Sequence, residues 1–201
     1  MLTILSPETF KTIPWKNGLG HTTELAINSG GNLGKFDWRL SIASVVNDGE
    51  FSNFSGYQRH LVLIKGEGLI LDHHNGDVDE LANLLDVAHF DGGSKTYGRL
   101  VTGAIKDFNI MTNQDSFTAE VNCYIKQHSA DVSLLSGRLI FAYSQTNEMN
   151  IEYGSKTTAA VPVGHLAQLQ LHQTPESHKQ DTAVISGQNM IVIDLMRLPV
   201  R

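Results

Sequence analysis

The 201-residue chain holds a single cysteine, Cys123, so no internal disulfide can staple it, and its thiol content suits a reducing compartment. Long apolar runs are also missing. None approaches the roughly 18 residues that a membrane-spanning helix requires. The opening residues MLTILSPETF lack a basic segment followed by an apolar core, so no secretory leader is expected and a cytoplasmic location is. Basic residues are outnumbered, 15 against 21 acidic, for a formal net charge of −6. Nucleic-acid binding relies on clustered Lys and Arg to neutralise phosphates, and no such cluster occurs. This excludes a large polyanion as partner but leaves room for a local pocket that takes a small anion. Catalytic fingerprints are absent too: there is no Gly-x-Ser-x-Gly elbow, no phosphate loop, no dinucleotide motif, and no nucleophile beside a general base.

What the chain does have is short apolar runs rich in β-branched and aromatic residues. Phe36 to Val46, His60 to Ile64, Gly68 to Leu71, Leu100 to Ile105, Phe117 to Ile125 and Met190 to Leu198 read as strands. Asn47-Asp48-Gly49, His74-Asn75-Gly76-Asp77 and Ser136-Gly137 supply turns between them. Eighteen glycines suit many tight connections, and the fold class is all-β, a sandwich or barrel. At this length roughly 70% of the unfolded surface can be buried, so no staple is needed. One short helix is expected over Asp77 to Leu85, where Leu81, Leu84 and Leu85 are spaced i, i+3, i+4. His172 to Gly187 is polar and reads as a surface loop. Two internal echoes point to a duplicated unit. Leu63 to Ile70 resembles Leu134 to Ile140, and Asp107 to Met111 resembles Ile193 to Met196. Two β-rich units meeting near residue 115, 1–115 and 116–201, explain both echoes; chance similarity between apolar strands is the competing explanation.

Four segments carry the polar chemistry. In Trp15-Lys16-Asn17-Gly18, an ammonium, an amide and free backbone N–H groups can face an anion, or the loop can simply cap a barrel with Trp15 as plug. In Asp37-Trp38-Arg39-Leu40-Ser41-Ile42 the alternation puts Trp38, Leu40 and Ile42 on one face and Asp37, Arg39 and Ser41 on the other. If that polar face lines a cavity, Arg39 is a bidentate clamp for a carboxylate. Arg59 and His60 must point to opposite faces, and Arg59 is the expected pocket residue. Asp107 and Asn109 share a strand face; Asp107 either braces Arg59 as a structural ion pair or pairs with Arg39, Lys16 or ligand. His73 and His74 flank a turn and read as solvated loop histidines.

Taken in order, Pro14-Trp15-Lys16-Asn17-Gly18-Leu19-Gly20, Phe36 to Ala43, Phe54 to Leu61 and Asp107 to Met111 resemble the HutD/Ves family. The resemblance covers residues 14 to 111 and implies a double-stranded β-helix of the cupin type, with two cupin-like halves in one chain. It also implies, for part of the family, a link to histidine-degradation intermediates such as formylated glutamate, while other members are known mainly as stress-associated. Leu19 departs from the family pattern, which commonly has a further glycine there, and leucine cannot adopt positive φ as cheaply. Metal-dependent cupins use a His-x-His pair and a distant histidine; the nearest positions here are His60 with Val62, and Ala167, which cannot ligate.

The resulting expectation is a binding or sensing protein for a small anionic metabolite, plausibly a carboxylate, without metal, cofactor or catalytic residue. Lys16, Arg39 and Arg59 supply charge, Asn17, Ser41 and Asn109 supply neutral hydrogen bonds, Trp15 closes the site, and His60 and Asp107 support it. The alternative is a metal-independent isomerase or hydrolase with Asp107 or His60 as general base. Neither nucleic acid nor membrane is an expected partner, and a homodimer is left open.

Overall fold

Alternating burial along short segments builds the local structure: within Val87–Asp91, Ala88 and Phe90 are buried while Val87, His89 and Asp91 are exposed. Period two is the side-chain repeat of a strand. The computed structural model describes residues 1–15, 20–154, 157–171 and 181–199, and among these no α-helix occurs. Three leading strands, β1 (Leu2–Leu5), β2 (Lys11–Pro14) and β3 (Gly20–Ile27), precede two sets of eight. The first set is β4 (Trp38–Val45), β5 (Gly49–Glu50), β6 (Tyr57–Lys65), β7 (Leu69–Asp72), β8 (Val78–Leu81), β9 (Val87–Asp91), β10 (Tyr97–Leu100) and β11 (Ile105–Asn113). The second is β12 (Phe117–Tyr124), β13 (His128–Leu134), β14 (Arg138–Ser144), β15 (Met149–Tyr153), β16 (Thr157–Val161), β17 (Leu166–Gln170), β18 (Asp181–Gly187) and β19 (Met190–Arg197).

Within the first set the strand orders are β4-β11-β6-β9 and β5-β10-β7-β8; within the second they are β12-β19-β14-β17 and β13-β18-β15-β16. Every strand of the first set therefore has a counterpart eight strands later. Each set is an eight-stranded jelly roll, the double-stranded β-helix of a cupin. Strands β2 and β3 widen the larger sheet of the first set beside β4, and β1 widens that of the second beside β17. Residues 10–118 form one compact unit, to which the chain returns at Leu198, and residues 1–9 with 119–197 form the other. The first nine residues go with the C-terminal unit because β1 pairs with β17, Leu2 opposite Leu169.

In the N-terminal unit, Ala43, Val45, Leu61, Leu63 and Ile105 from the larger sheet pack with Leu69, Leu71 and Leu81 from the smaller. The C-terminal unit is filled likewise by Leu134, Ile140, Met149, Ile151, Val161, Leu169, Ile185 and Val192. Each of these Val, Leu, Ile and Met side chains contributes about 1.5–3 kcal/mol by leaving water.

The two units also share a register. Arg59 lies opposite Met111, and two rows on come Leu61 with Asn109 and then Leu63 with Asp107. In the C-terminal unit Arg138 lies opposite Met196, followed by Ile140 with Asp194 and Ala142 with Val192. The echo between Asp107–Met111 and Ile193–Met196 thus falls on counterpart strands. The other echo does not: it matches β6 and β7 with β13 and β14, whereas the counterpart of β6 is β14.

Three local expectations are corrected. Val78–Leu81 is a strand, with Leu69 opposite Leu81; Leu84 is exposed and Leu85 has φ 71°, which no helix residue adopts. The helical spacing there came from a strand residue and two turn residues. Leu100 to Ile105 is not one strand but the end of β10, a connection with Gly103 at φ 65°, and the start of β11. Of the supposed loop over 172–187, Asp181–Gly187 is a strand, pairing Leu134 with Asp181 through His128 with Gly187, and 172–180 lies outside the described residues.

Candidate functional site

The larger sheet of the N-terminal barrel carries a polar stripe on its inner face. Arg39 and Ser41 of β4, Arg59 of β6, and Asp107 and Asn109 of β11 are all buried. The register places them on one face: Arg39 and Arg59 flank Met111, Ser41 and Leu61 flank Asn109, and Ala43 and Leu63 flank Asp107. The polar half of the alternating Asp37–Ile42 segment thus faces a barrel interior. Its counterpart face is buried as well, at Leu40, Val62, Phe108 and Ile110.

Arg59 is the centre of this stripe. Its Nη2 donates to Asn109 Oδ1 at 2.6 Å, and the Asn109 amide nitrogen in turn donates to Asp107 Oδ1. The guanidinium carbon lies 5.2, 5.9 and 5.1 Å from the ring centroids of Phe51, Phe54 and Phe90, cation–π distances that stabilise a desolvated cation. Burial lowers the Arg59 pKa to about 10 against the pull of Asp107, so the guanidinium stays charged at neutral pH. Burial pushes the Asp107 carboxyl up to about 7, opposed by Arg59 and by the Asn109 hydrogen bond. Two atoms of this cluster are left over: Arg59 Nε and Asp107 Oδ2 are buried with no hydrogen-bond partner among the described residues. Buried polar atoms without partners are rare enough in native proteins that each calls for a physical reason.

Arg39 is committed elsewhere. Its Nε donates to Glu24 Oε2 at 2.7 Å, and both side chains are largely buried, so the expected carboxylate clamp already holds a carboxylate of β3. Glu24, opposite Ser41, was not anticipated, although it alternates with Thr22 on the same strand. Trp15 is half-buried against the barrel core and donates Nε1–H to Thr22 Oγ1 at 2.8 Å. It sits by Gly20, where a Cβ would lie 2.2 Å from the Ser44 carbonyl oxygen. Gly20 faces Val45 and Thr22 faces Ala43, so Trp15 belongs to the end of the barrel away from the Arg59 row. Lys16 and Asn17 lie outside the described residues.

His60 points away from the stripe. It stacks on His89, directly across from it on β9, with centroids 4.1 Å apart and planes 5° from parallel. Burial and then His89 lower its pKa to about 4. Because His60 and Val62 share this outer face, the inward positions of β6 are Arg59, Leu61 and Leu63. That donor set does not fit a cupin metal. Among the described residues no three His, Cys, Asp or Glu side chains gather to hold one.

His73 is not a solvated loop histidine. It is 4% exposed, with Nδ1 2.9 Å from Thr96 Oγ1 and Nε2 3.0 Å from Asp79 Oδ2. The Asp79 carboxylate, which has only acceptors, takes its hydrogen bond from Nε2. His73 also packs on Phe90 at 4.7 Å, the ring whose other neighbour is Arg59. A cleft of about 480 Å³ opens at this end of the barrel, lined by His73, Asp79, His89, Phe90, Asp91 and Ser94 among others. His74 is exposed, as expected.

Sequence comparison matches residues 7–192 to the HutD family. The chain belongs to that family. Among HutD relatives, an uncharacterized 21.2 kDa protein from the hutC 3′ region of Pseudomonas putida is 35% identical over 152 residues, 75% of this chain and 78% of that protein. Protein Ves of Escherichia fergusonii is 35% identical over 108 residues, 53% of this chain and 56% of that protein. Among solved structures, HutD from Pseudomonas fluorescens SBW25, in a formate condition, superposes with a TM-score of 0.80 at 26% identity, covering 99% of this chain and 100% of that one. YhhW from Escherichia coli shares the fold at 7% identity, with a TM-score of 0.64 over 99% of this chain and 98% of that one. No helix among the described residues is long and apolar enough to cross a membrane.

Proposed function

We propose that the N-terminal barrel binds a small carboxylate at Arg59, and that the protein acts as a binding or sensing module rather than as an enzyme. The observation that carries this reading is the pair of unfilled valences, Arg59 Nε and Asp107 Oδ2, within one buried hydrogen-bonded cluster. A buried donor or acceptor left unmade costs about 1–3 kcal/mol, and a molecule that fills it recovers that cost. The phenyl rings around the guanidinium exclude water, which strengthens any charge-assisted bond made there. Two such bonds, at about 1.5–3 kcal/mol each, with apolar contact around them, reach the micromolar range of about −8 kcal/mol.

The relatives support a metabolite of this class. One lies beside hutC and another was solved in a formate condition, which favours formate, formylated amino acids and intermediates of histidine utilisation as first candidates. A ligand at about 100 times its Kd adds roughly 2.7 kcal/mol, or roughly 5–11 °C in Tm for a protein near this size. At least one compound of this panel is expected to give such a shift and to emerge chemically unchanged by mass spectrometry. A panel that produces no shift at all would overturn the reading. The Asp107 carboxyl near neutrality favours one second reading, since a group with that pKa suits general acid–base chemistry. Product formation that disappears in Asp107→Asn would establish it.

A further inference from the structure

Asp107 decides what charge the Arg59 site can accept. Among the described residues Arg59 is the cation hydrogen-bonded into the cluster, and its charge is already set against Asp107 through the Asn109 bridge. Among the described residues, the other charged groups facing the barrel interior are each engaged with a partner, although Arg39 still weighs on Arg59 and lowers its pKa. Arg39 is neutralised by Glu24, and from the smaller sheet His73 and Asp79 pair with one another beyond the Phe90 ring. The remainder of that sheet presents Leu69, Leu71 and Leu81. A carboxylate brought to Arg59 would therefore place two desolvated anions beside one guanidinium, and like charges sharing a buried site cannot both remain ionised.

The two Asp107 oxygens differ in a way that resolves this conflict. Oδ1 already accepts from Asn109, whereas Oδ2 is buried and has no partner. A proton on Oδ2 costs no existing hydrogen bond and turns an unfilled acceptor into a donor. Building on the carboxylate reading above, we infer that the ligand enters together with one proton from solvent, which is held on Asp107 Oδ2. Binding then leaves the cluster with one positive guanidinium, one neutral carboxyl and one anion. The site selects monoanionic carboxylates, and its affinity follows the protonation of Asp107.

Sodium formate is the probe, because it stays ionised from pH 6 to 9. Its Kd, measured by thermal stabilisation or by carbon-13 NMR of labelled formate, is expected to be level below about pH 7. It should weaken approaching tenfold per pH unit between 8 and 9, as expected when one proton must be taken up. Asp107→Asn is expected to remove that slope. Should the variant fail to fold, calorimetry of the wild-type protein at pH 8 in buffers of different ionisation enthalpy gives the same answer: one proton taken up per formate supports the inference. Formate binding with zero proton uptake and a level Kd from pH 6 to 9 overturns it while leaving the carboxylate reading in place. No binding at any pH by formate or by any other carboxylate of the panel removes both.

Discussion

Arg39 donates to Glu24 across 2.7 Å in a largely buried ion pair, so one of the two arginines inside the N-terminal barrel is structural. Removing one partner of such a pair leaves an uncompensated buried charge, at a cost of about 3–5 kcal/mol. Arg39→Ala is expected to lose stability of that order in urea unfolding. The double replacement Arg39→Met with Glu24→Leu should recover most of it. A loss below about 1 kcal/mol in the single variant would place the pair in solvent-like surroundings.

The contributions of Asp107 and His60 to the pH dependence of stability should nearly cancel between about 4 and 6.5, for a reason that single variants expose. The folded-state pKa of Asp107 is raised to about 7 from 3.8; the native state binds the extra proton, so this contribution is present at low pH and lost as pH rises through about 4 to 7. The folded-state pKa of His60 is lowered to about 4 from 6.5; the unfolded state binds the extra proton, so stability rises with pH through about 4 to 6.5. Each slope is about 1.4 kcal/mol per pH unit, with opposite sign. His60→Phe is expected to fall in stability across this window and Asp107→Asn to rise. Identical slopes in the two variants would count against both assignments.

Phe90 sits between Arg59 and His73, at 5.1 Å from one and 4.7 Å from the other. Phe90→Leu retains an apolar side chain but removes the π-face, which is worth about 2 kcal/mol beside a desolvated cation. Thermal and urea unfolding should both report a loss of this size. An effect within about 0.5 kcal/mol would mean that the ring only fills space.

Gly20 is fixed by close approach rather than by a turn. An added Cβ would stand 2.2 Å from the Ser44 carbonyl oxygen and 2.9 Å from the Trp15 ring. Gly20→Ala is expected to cost about 1–3 kcal/mol by overpacking and to shift the Trp15 fluorescence by breaking its hydrogen bond to Thr22. Unchanged emission together with unchanged stability would show that the strand has room to move.

Strand faces were the most legible part of the sequence. The alternation grouped Arg39 with Ser41 and Asp107 with Asn109 on common faces, because period two is a local property, but it left open whether the polar face meets a cavity or water. Partnership was not legible. Arg39 met Glu24 through a strand pairing that no short window displays, and the relay from Arg59 through Asn109 needs two residues 50 positions apart. The burial of His73 is hidden for the same reason: its partner Asp79 arrives on β8 and Thr96 on the connection that leads into β10. The false helix at Asp77–Leu85 shows the converse, since three leucines at helical spacing are compatible with a short strand and a turn when cross-strand pairing with β7 outweighs local pattern.

The matching registers give the chain an internal control for its own site. Where the N-terminal barrel has Asn109 and Asp107, the C-terminal barrel has Asp194 and Val192, and there Arg138 reaches its acid directly, Nη1 to Oδ2 at 3.5 Å. One scaffold thus exhibits two ways of tying an inward-facing arginine to an acid. In one, a half-buried arginine meets its acid directly, with its Nε and the acid's Oδ1 left without a hydrogen-bond partner among the described residues. In the other, an amide spacer holds the acid a step away, so that the charge is tethered without being spent.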